Sequence, residues 1–491
     1  MRLTRKLFSL HKTYKPKHTQ LFINNQWVDS SDRGYFETVN PYTEKVLGKV
    51  QRATAQDVDK AVAASRRAFE SWSQTSGYER GRCLSRLADL MEKHQEELAT
   101  IESLDNGKPI SDARNIDLPL AIQAIRYYAG WADKIHGATL PLPLPYFAYT
   151  LLEPVGVCAQ IYAWNFPLLL ACWKLGPAMA TGCTSILKPA EQTPLSVLRL
   201  ADMIQEAGFP PGVIQILNGE GEVGQLLAKH PDVDKLSFTG STEVGRKLLA
   251  GNGTPNIKRM TMELGGKSAN IIMDDADLDI AVSQAQTGVF FNQGQCCIAG
   301  SRVFVHSKIY DRFVEASARE TRARQLGDPL LDTTTQGPQV SHQQHKTVTS
   351  FIEKGKKEGA KLAVGGKVEK HDQGYFVEPT VFYDVQDHMT IAKEEIFGPV
   401  MSVLKFDDLE EVIYRANKSH YGLGAGVVTK SLHNAQRLAA GLRAGTIYVN
   451  CYDVILNNTP FGGFKDSGLG RELGEPGLMP YLEHKTVIMP K

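Results

Sequence analysis

Two adjacent cysteines, Cys296 and Cys297, end the segment Phe291-Asn292-Gln293-Gly294-Gln295 that follows an amphipathic stretch. Neighbouring side chains diverge, so the pair does not aim into one cleft and makes no closed metal site. One thiol can serve as a nucleophile while the other packs; the plainer alternative is that both are small buried hydrophobes. A base is available at Glu263, in Met260-Thr261-Met262-Glu263-Leu264-Gly265-Gly266-Lys267. Apolar surroundings raise a carboxyl pKa, and two glycines admit a close backbone or cofactor. The alternative there is a buried, paired structural carboxylate.

Two further segments suit a nucleotide. Gly240-Ser241-Thr242-Glu243-Val244-Gly245 follows the strand-like KLSFT and opens a helical stretch. Free N–H groups and the positive end of the helix dipole favour phosphate there. The spacing is not GxGxxG, and an ordinary capped turn explains it equally. Lys188-Pro189-Ala190-Glu191 ends the strand-like TSIL, at the carboxyl edge where open α/β sheets bind ligands. A carboxylate at Glu191 accepts hydrogen bonds from a ribose diol and repels a 2′-phosphate; a surface ion pair is the competing explanation. Asp274-Asp275-Ala276-Asp277-Leu278-Asp279 resembles a calcium loop but lacks the required Gly and Glu, and His342 with His345 lacks an HExxH context. No metal is implied.

Positioning these residues requires a scaffold. LFINNQWV from Leu21 reads as two strands about Asn24–Asn25. A helix capped by Asp57 carries Val58, Ala61, Val62, Phe69 and Trp72 on one stripe, and a second carries Leu84, Leu87, Leu90, Leu98 and Ile101, ending near Gly107–Pro109. Alternating prolines from Pro141 to Pro145 exclude a central strand and favour an extended excursion, a candidate subunit contact. GVCAQIYAW, TSILKP, VIQILNG and KLSFTG then alternate with helices, predicting βαβ units and a parallel sheet to about Lys258. A second α/β block runs from MTMELGGKSANIIM to about Asn450, before a glycine-rich segment and a final strand, HKTVIMP.

The 491 residues correspond to about three domains. Lys+Arg 55 against Asp+Glu 54 leaves a net charge of +1, without the basic footprint of nucleic-acid binding. Seven cysteines with no CxxC, and no secretory-type signal, predict free thiols in a reducing, cytoplasmic setting. The alternative is the mitochondrial matrix: residues 1–28 hold no acid, carry Arg2, Arg5, Lys6, Lys12, Lys15 and Lys17, and place Leu3, Leu7 and Leu10 on one helical face. A solvated basic tail is the plainer reading. No apolar run approaches 18 residues, so no membrane span is expected.

In series, AWNFP, KPAEQTP, FTGSTEVG, MELGGKS, FNQGQCCIAGSR, KEEIFGPV and PFGGFKDSGLGRE closely resemble the aldehyde dehydrogenase superfamily, most of all its NAD-dependent class 1/class 2 group, from about Leu21 to the C-terminus. The resemblance implies an α/β fold with a Rossmann-type NAD-binding domain (21–135 and 154–262), a catalytic domain (263–470) and a small β oligomerisation arm (136–153 and 471–491), behind a basic tail (1–20). It implies NAD-dependent oxidation of aldehydes through a thiohemiacetal and a thioester on Cys297. Glu263 would be the general base, and the Asn165 side chain with the Cys297 N–H would hold the oxyanion. Lys188 and Glu191 would hold the adenosine ribose, Gly240, Ser241, Thr242 and Gly245 the pyrophosphate, and Glu395 and Phe397 the nicotinamide-side ribose, with Trp164 beside the cofactor. Phe166, Leu169, Leu170, Trp173, Phe291, Cys296 and Phe461 resemble an apolar substrate tunnel, with Leu120 and Ile455 at its mouth. Ala163 stands where relatives usually have proline, and Ile455 where acetaldehyde-preferring relatives have an aromatic. A wider mouth for longer aliphatic or aromatic aldehydes is therefore expected. The group implies a homotetramer.

Two other classes of function compete. The thioester could pass to coenzyme A, or esters could be hydrolysed without NAD; Glu263 favours water as acceptor. A recruited structural protein would keep the fold without the chemistry, but Cys297, Glu263 and Asn165 are all present.

Overall fold

The computed structural model describes residues 11, 13–143, 145–251, 253, 256–368 and 372–491; Leu3, Leu7 and Leu10 of the basic tail lie outside them. Leu21–Ile23 and Gln26–Val28 form the expected antiparallel hairpin, with Asn24 and Asn25 both at φ 57°. A two-residue type I′ turn requires that left-handed backbone, and asparagine tolerates it. The next helix, Ala55–Trp72, starts ahead of the expected cap at Asp57. Thr54 is the cap: its side chain accepts from the Asp57 N–H, and the Asp57 carboxylate accepts from the Thr54 N–H.

The leucine-rich stretch expected as one helix is two, Gly77–Lys93 and Gln95–Asn106, broken at His94. A continuous helix of that length would run about 45 Å. The break instead folds Leu84, Leu87, Leu98 and Ile101 into one core. Gly107, at φ 90°, closes the second helix.

The first sheet has five parallel strands at its centre, in the order Arg259–Glu263, Lys235–Thr239, Val157–Ile161, Thr184–Lys188, Ile214–Ile216. Helices cover both faces, so the middle three strands are buried throughout. The N-terminal hairpin extends one edge and Gly468–Leu469 pairs antiparallel at the other. MTMEL therefore closes this sheet rather than opening the second block: the helix Thr242–Gly251 serves as the crossover that returns it parallel to Lys235–Thr239. The second sheet runs Lys361–Val364, Thr380–Tyr383, Val400–Phe406, Arg302–His306, Ala269–Ile272, Gly424–Val428, Thr446–Val449, parallel except at the first pair.

A third sheet joins Thr139–Leu140, Tyr146–Pro154 and Leu482–Pro490. Pro141, Pro143 and Pro145 stay out of its ladder, having no N–H to donate. On and beside this sheet Leu140, Leu142, Tyr146, Phe147, Leu151, Ile488 and Met489 are exposed, distributed over both faces.

The wholly buried helix Pro167–Thr181 packs against Leu118–Ala129. Beside them the Lys108 ammonium meets the Asp117 carboxylate, both essentially inaccessible to solvent. Lys108→Met leaves Asp117 unpaired and is expected to destabilise the protein by about 3–5 kcal/mol. Lys485→Met, at the exposed Lys485–Glu153 pair, is expected to cost less than about 1 kcal/mol. Denaturant titration of the two variants checks the contrast.

Candidate active site

The carboxyl end of the first sheet meets the amino end of the second through Leu264-Gly265-Gly266-Lys267. Glu263 is the last residue of its strand, and its main-chain oxygen accepts from the Gly240 N–H at 3.0 Å. A Cβ on Gly266 would lie 2.3 Å from the Cys297 carbonyl oxygen, and one on Gly265 would lie 2.2 Å from a Glu395 carboxyl oxygen. Glycine is thus required at Gly266, where main chain stands in the way, while a side chain at Gly265 would displace the Glu395 carboxylate. The Gly266 N–H donates to Glu395 Oε1 at 3.0 Å.

Cys297 is reached from the other side. The helix Leu278–Phe290 stops at Phe291, and Asn292, Gln293 and Gly294 take left-handed φ values of 47°, 58° and 73°. This tight reversal buries Cys296 and leaves Cys297 half-buried, yet both line the same tunnel, so the two neighbours do not diverge as expected: the left-handed turn before them brings both side chains to one cavity. The Cys297 thiol lies within hydrogen-bonding reach of Cys296 and Glu263. The Cys296 contact, burial and the Glu263 charge together push it well above the usual thiol range. Burial, then the nearby Glu472 charge, pushes the Glu263 carboxyl up to about 8. Both groups of the resting pair are therefore protonated near neutral pH.

Asn165 faces them from the loop before Pro167–Thr181. Its Nδ2 donates to the Gln295 main-chain oxygen at 3.1 Å, which fixes the amide and leaves a second N–H to offer. Its own carbonyl accepts from Lys108 Nζ and Asn292 Nδ2, each at 2.9 Å. Asn106 Nδ2 donates to the Trp164 carbonyl at 2.8 Å. The loop is held by side chains from three elements.

Two cavities open here. A polar-edged cleft of about 260 Å³ is lined by Trp164, Gly240, Ser241, Leu264, Gln344, Thr347, Glu395 and Phe397. A narrow apolar tunnel of about 40 Å³ is lined by Leu120, Phe166, Leu169, Leu170, Trp173, Phe291, Cys296, Ile455 and Phe461. Thr239, Asn165, Glu263 and Cys297 line both. Phe166 stacks on Phe291 with centroids 6.0 Å apart, and Trp173 meets Phe461 edge-on at 5.2 Å.

Lys188, Glu191, Thr242 and Gly245 stand outside the cleft wall. Lys188 Nζ is buried, donates to the Pro189 carbonyl at 3.1 Å and lies 3.6 Å from the Glu191 carboxylate. Burial holds its ammonium below the usual lysine range, opposed by Glu191. Ser241 caps the following helix, and Gly245 packs on Leu264 where a Cβ would sit 2.6 Å from Cδ2. Trp164 meets Phe397 edge-on at 5.2 Å; Phe397 has φ 56° and its carbonyl accepts from Gln344 Nε2 at 2.7 Å. A partly exposed carboxylate at a strand end, a glycine turn into a capped helix N-terminus and a second carboxylate at Glu395 make a donor and acceptor set that fits a dinucleotide.

Sequence reasoning missed several wall residues. Ile116 shares a helical face with Leu120 and was findable by spacing. Ile298, Asp453, Gln344 and Thr347 carry no such signal. Behind Glu263, Lys174 Nζ donates to Thr239 Oγ1 at 2.8 Å and pairs with Glu472; a lysine inside a hydrophobic helix was the clue.

The sequence profile of the aldehyde dehydrogenase family matches residues 27–487. The human protein "Aldehyde dehydrogenase, mitochondrial" is 56% identical over 474 residues, 96% of this chain and 92% of that one. Chicken "Aldehyde dehydrogenase 1A1" is 52% identical, covering 97% and 94%. The structure of a Bacillus cereus aldehyde dehydrogenase in complex with NAD+ superposes with a TM-score of 0.95 at 48% identity, over 99% of this chain and 98% of that one.

Glu263→Gln removes both the acceptor and the negative charge facing the thiol. Cys297 is then expected to ionise at lower pH than in the wild type, read from the pH dependence of its alkylation by iodoacetamide. An unchanged midpoint would contradict the coupling of the thiol to Glu263.

Proposed function

The chain belongs to the aldehyde dehydrogenase family, and from that premise we propose that it oxidises aldehydes to carboxylic acids with NAD through a thiohemiacetal and a thioester on Cys297. The observation that carries this reading is that Cys297, Glu263 and Asn165 stand together where the apolar tunnel opens into the cleft. An aldehyde chain fits the tunnel and a nicotinamide the cleft, with the thiol between them.

The Cys297 thiol gives its proton to the Glu263 carboxylate and its sulfur attacks the carbonyl carbon. The oxyanion is held by the free N–H of Asn165 Nδ2, whose other N–H is already fixed on Gln295. NAD, when bound, accepts the hydride that leaves the thiohemiacetal carbon. Glu263 releases the thiol's proton to solvent, then takes a proton from water as the water oxygen attacks the thioester; the carbon–sulfur bond breaks, the carboxylic acid departs, and that proton returns to sulfur to restore the Cys297 thiol. Lys188 and Glu191 would hold the adenosine ribose, the Gly240–Gly245 turn the pyrophosphate, and Glu395 and Phe397 the second ribose. The Glu191 carboxylate disfavours a 2′-phosphate, which supports NAD over NADP.

The exposed apolar residues on the three-stranded sheet support a homo-oligomer, and the resemblance supports a tetramer. The acid-free N-terminus and the mitochondrial names of similar proteins support the matrix over the cytoplasm. Light scattering at a tetramer mass and recovery in a mitochondrial fraction check both assignments; a monomer or a cytosolic fraction would refute them.

NADH absorbance on mixing with NAD and aldehydes tests the reaction. Cys297→Ser abolishes steady NADH formation, and Asn165→Ala lowers kcat about a hundred- to thousandfold. A carboxyl with a pKa near 8 is protonated below that pH and cannot accept a proton. The wild-type kcat therefore climbs with pH through about 8 and levels above it, and Glu263→Gln loses that rise. Undiminished turnover by Cys297→Ser would overturn the assignment.

A further inference from the structure

Asp453 stands in the tunnel wall with neither carboxyl oxygen bonded to a donor, and both oxygens are out of reach of solvent. Among the other tunnel residues, Leu120, Phe166, Ile455 and Phe461 have no polar side-chain atom, and Trp173 has only an unpartnered indole N–H, a donor. Asp117 also lines the tunnel, with one carboxyl oxygen on Lys108 and the other unpartnered, so Asp453 alone of the two carboxyls has both oxygens free. Tyr452, packed beside Asp453, commits its hydroxyl to the Ile298 carbonyl at 2.9 Å. Buried polar groups in folded proteins are as a rule hydrogen-bonded, and one left without a partner at the wall of a ligand cavity is satisfied by the ligand.

The backbone supports the same conclusion. Asp453 has φ 55°, a left-handed conformation that aspartate and asparagine tolerate and bulky or β-branched residues resist. The chain thus keeps a short polar residue at a position where packing alone would favour an apolar one.

We propose that Asp453 is a specificity-determining residue that hydrogen-bonds an oxygen on the substrate chain, so that the tunnel selects aldehydes bearing a hydroxyl some carbons from the carbonyl over plain alkanals. This rests on the reading of the tunnel as the aldehyde site. Burial pushes the Asp453 carboxyl up to about 8. Near neutral pH it is therefore mostly protonated, able to donate to and accept from an alcohol, and poorly suited to an ammonium group. The companion carboxyl Glu263 lies at the thiol end, so the tunnel has one polar contact at the reacting carbon and a second along the chain.

The test compares kcat/KM for ω-hydroxyalkanals of six to ten carbons with n-alkanals of matching heavy-atom count, in the wild type, Asp453→Gly and Asp453→Asn. Glycine removes the carboxyl without straining the left-handed backbone, and asparagine keeps the hydrogen bonding. At the chain length that brings its oxygen level with Asp453, the hydroxyaldehyde is expected to exceed its alkanal by about tenfold in the wild type, the size of one hydrogen bond. Asp453→Gly brings the hydroxyaldehyde and its alkanal to the same kcat/KM, whatever its overall rate, and Asp453→Asn retains most of the ratio. A ratio equal in wild type and Asp453→Gly at every length overturns the proposal. So does a wild type that prefers the alkanal throughout, an outcome that needs no variant to fold. Absence of turnover on any aldehyde instead overturns the reading of the site itself.

Discussion

Cys297 can face Glu263 only because two residues without side chains separate the sheets that carry them. The Gly266 position lies against the Cys297 carbonyl, and the Gly265 position against the Glu395 carboxylate, each closer than any Cβ allows. A side chain at Gly266 would meet main chain and push the second sheet off the first, and one at Gly265 would displace the Glu395 carboxylate from the Gly266 N–H. The cleft, the tunnel junction and the Gly266–Glu395 hydrogen bond all depend on that contact. The reversal at Asn292, Gln293 and Gly294 serves it from the opposite direction, by turning the chain so that Cys297 arrives at the crossing and Cys296 goes into the core.

Close approach also dries the site, and dryness decides the protonation states. Burial lifts the Glu263 carboxyl to about 8 and the Glu395 carboxyl to about 7, and lowers the Lys267 ammonium to about 7. A thiolate and a carboxylate side by side would be prohibitive in such surroundings, so near neutral pH Cys297 and Glu263 both stay protonated at rest. Behind them, Lys174 is embedded among Ser237, Thr239 and Glu472, which gives the cluster one compensating cation. The Asn165 side-chain amide that faces them is neutral and is fixed by Gln295, on a loop held by Lys108, Asn106 and Asn292.

Much of this was legible along the chain because its signals are local. The Asn24–Asn25 turn, the βαβ rhythm, the glycine turn at Gly240 and the Glu263 strand end follow from neighbours in sequence. The misreadings arose where a distant partner decided. His94 breaks a leucine-rich run because two short helices fill one core better than a single long helix does. MTMEL joins the first sheet because the helix before it crosses back to Lys235–Thr239, and its own residues would suit either sheet. Thr54 displaces Asp57 as the cap because the two satisfy each other reciprocally.

The order of motifs alone identified the family and the nature of the cofactor and nominated Cys297 as nucleophile and Glu263 as base, since each rests on a residue type at a fixed spacing. Residue types cannot state which side chains converge from segments hundreds of positions apart. The tertiary structure decided that Asn165, Glu263 and Cys297 line both cavities, that Lys188 and Glu191 lie outside the cleft wall, and that Asp453 stands unpaired in the tunnel. Those outcomes depend on how closely two sheets can pack and on which polar groups are left without water, and burial of that kind exists only once the chain has folded.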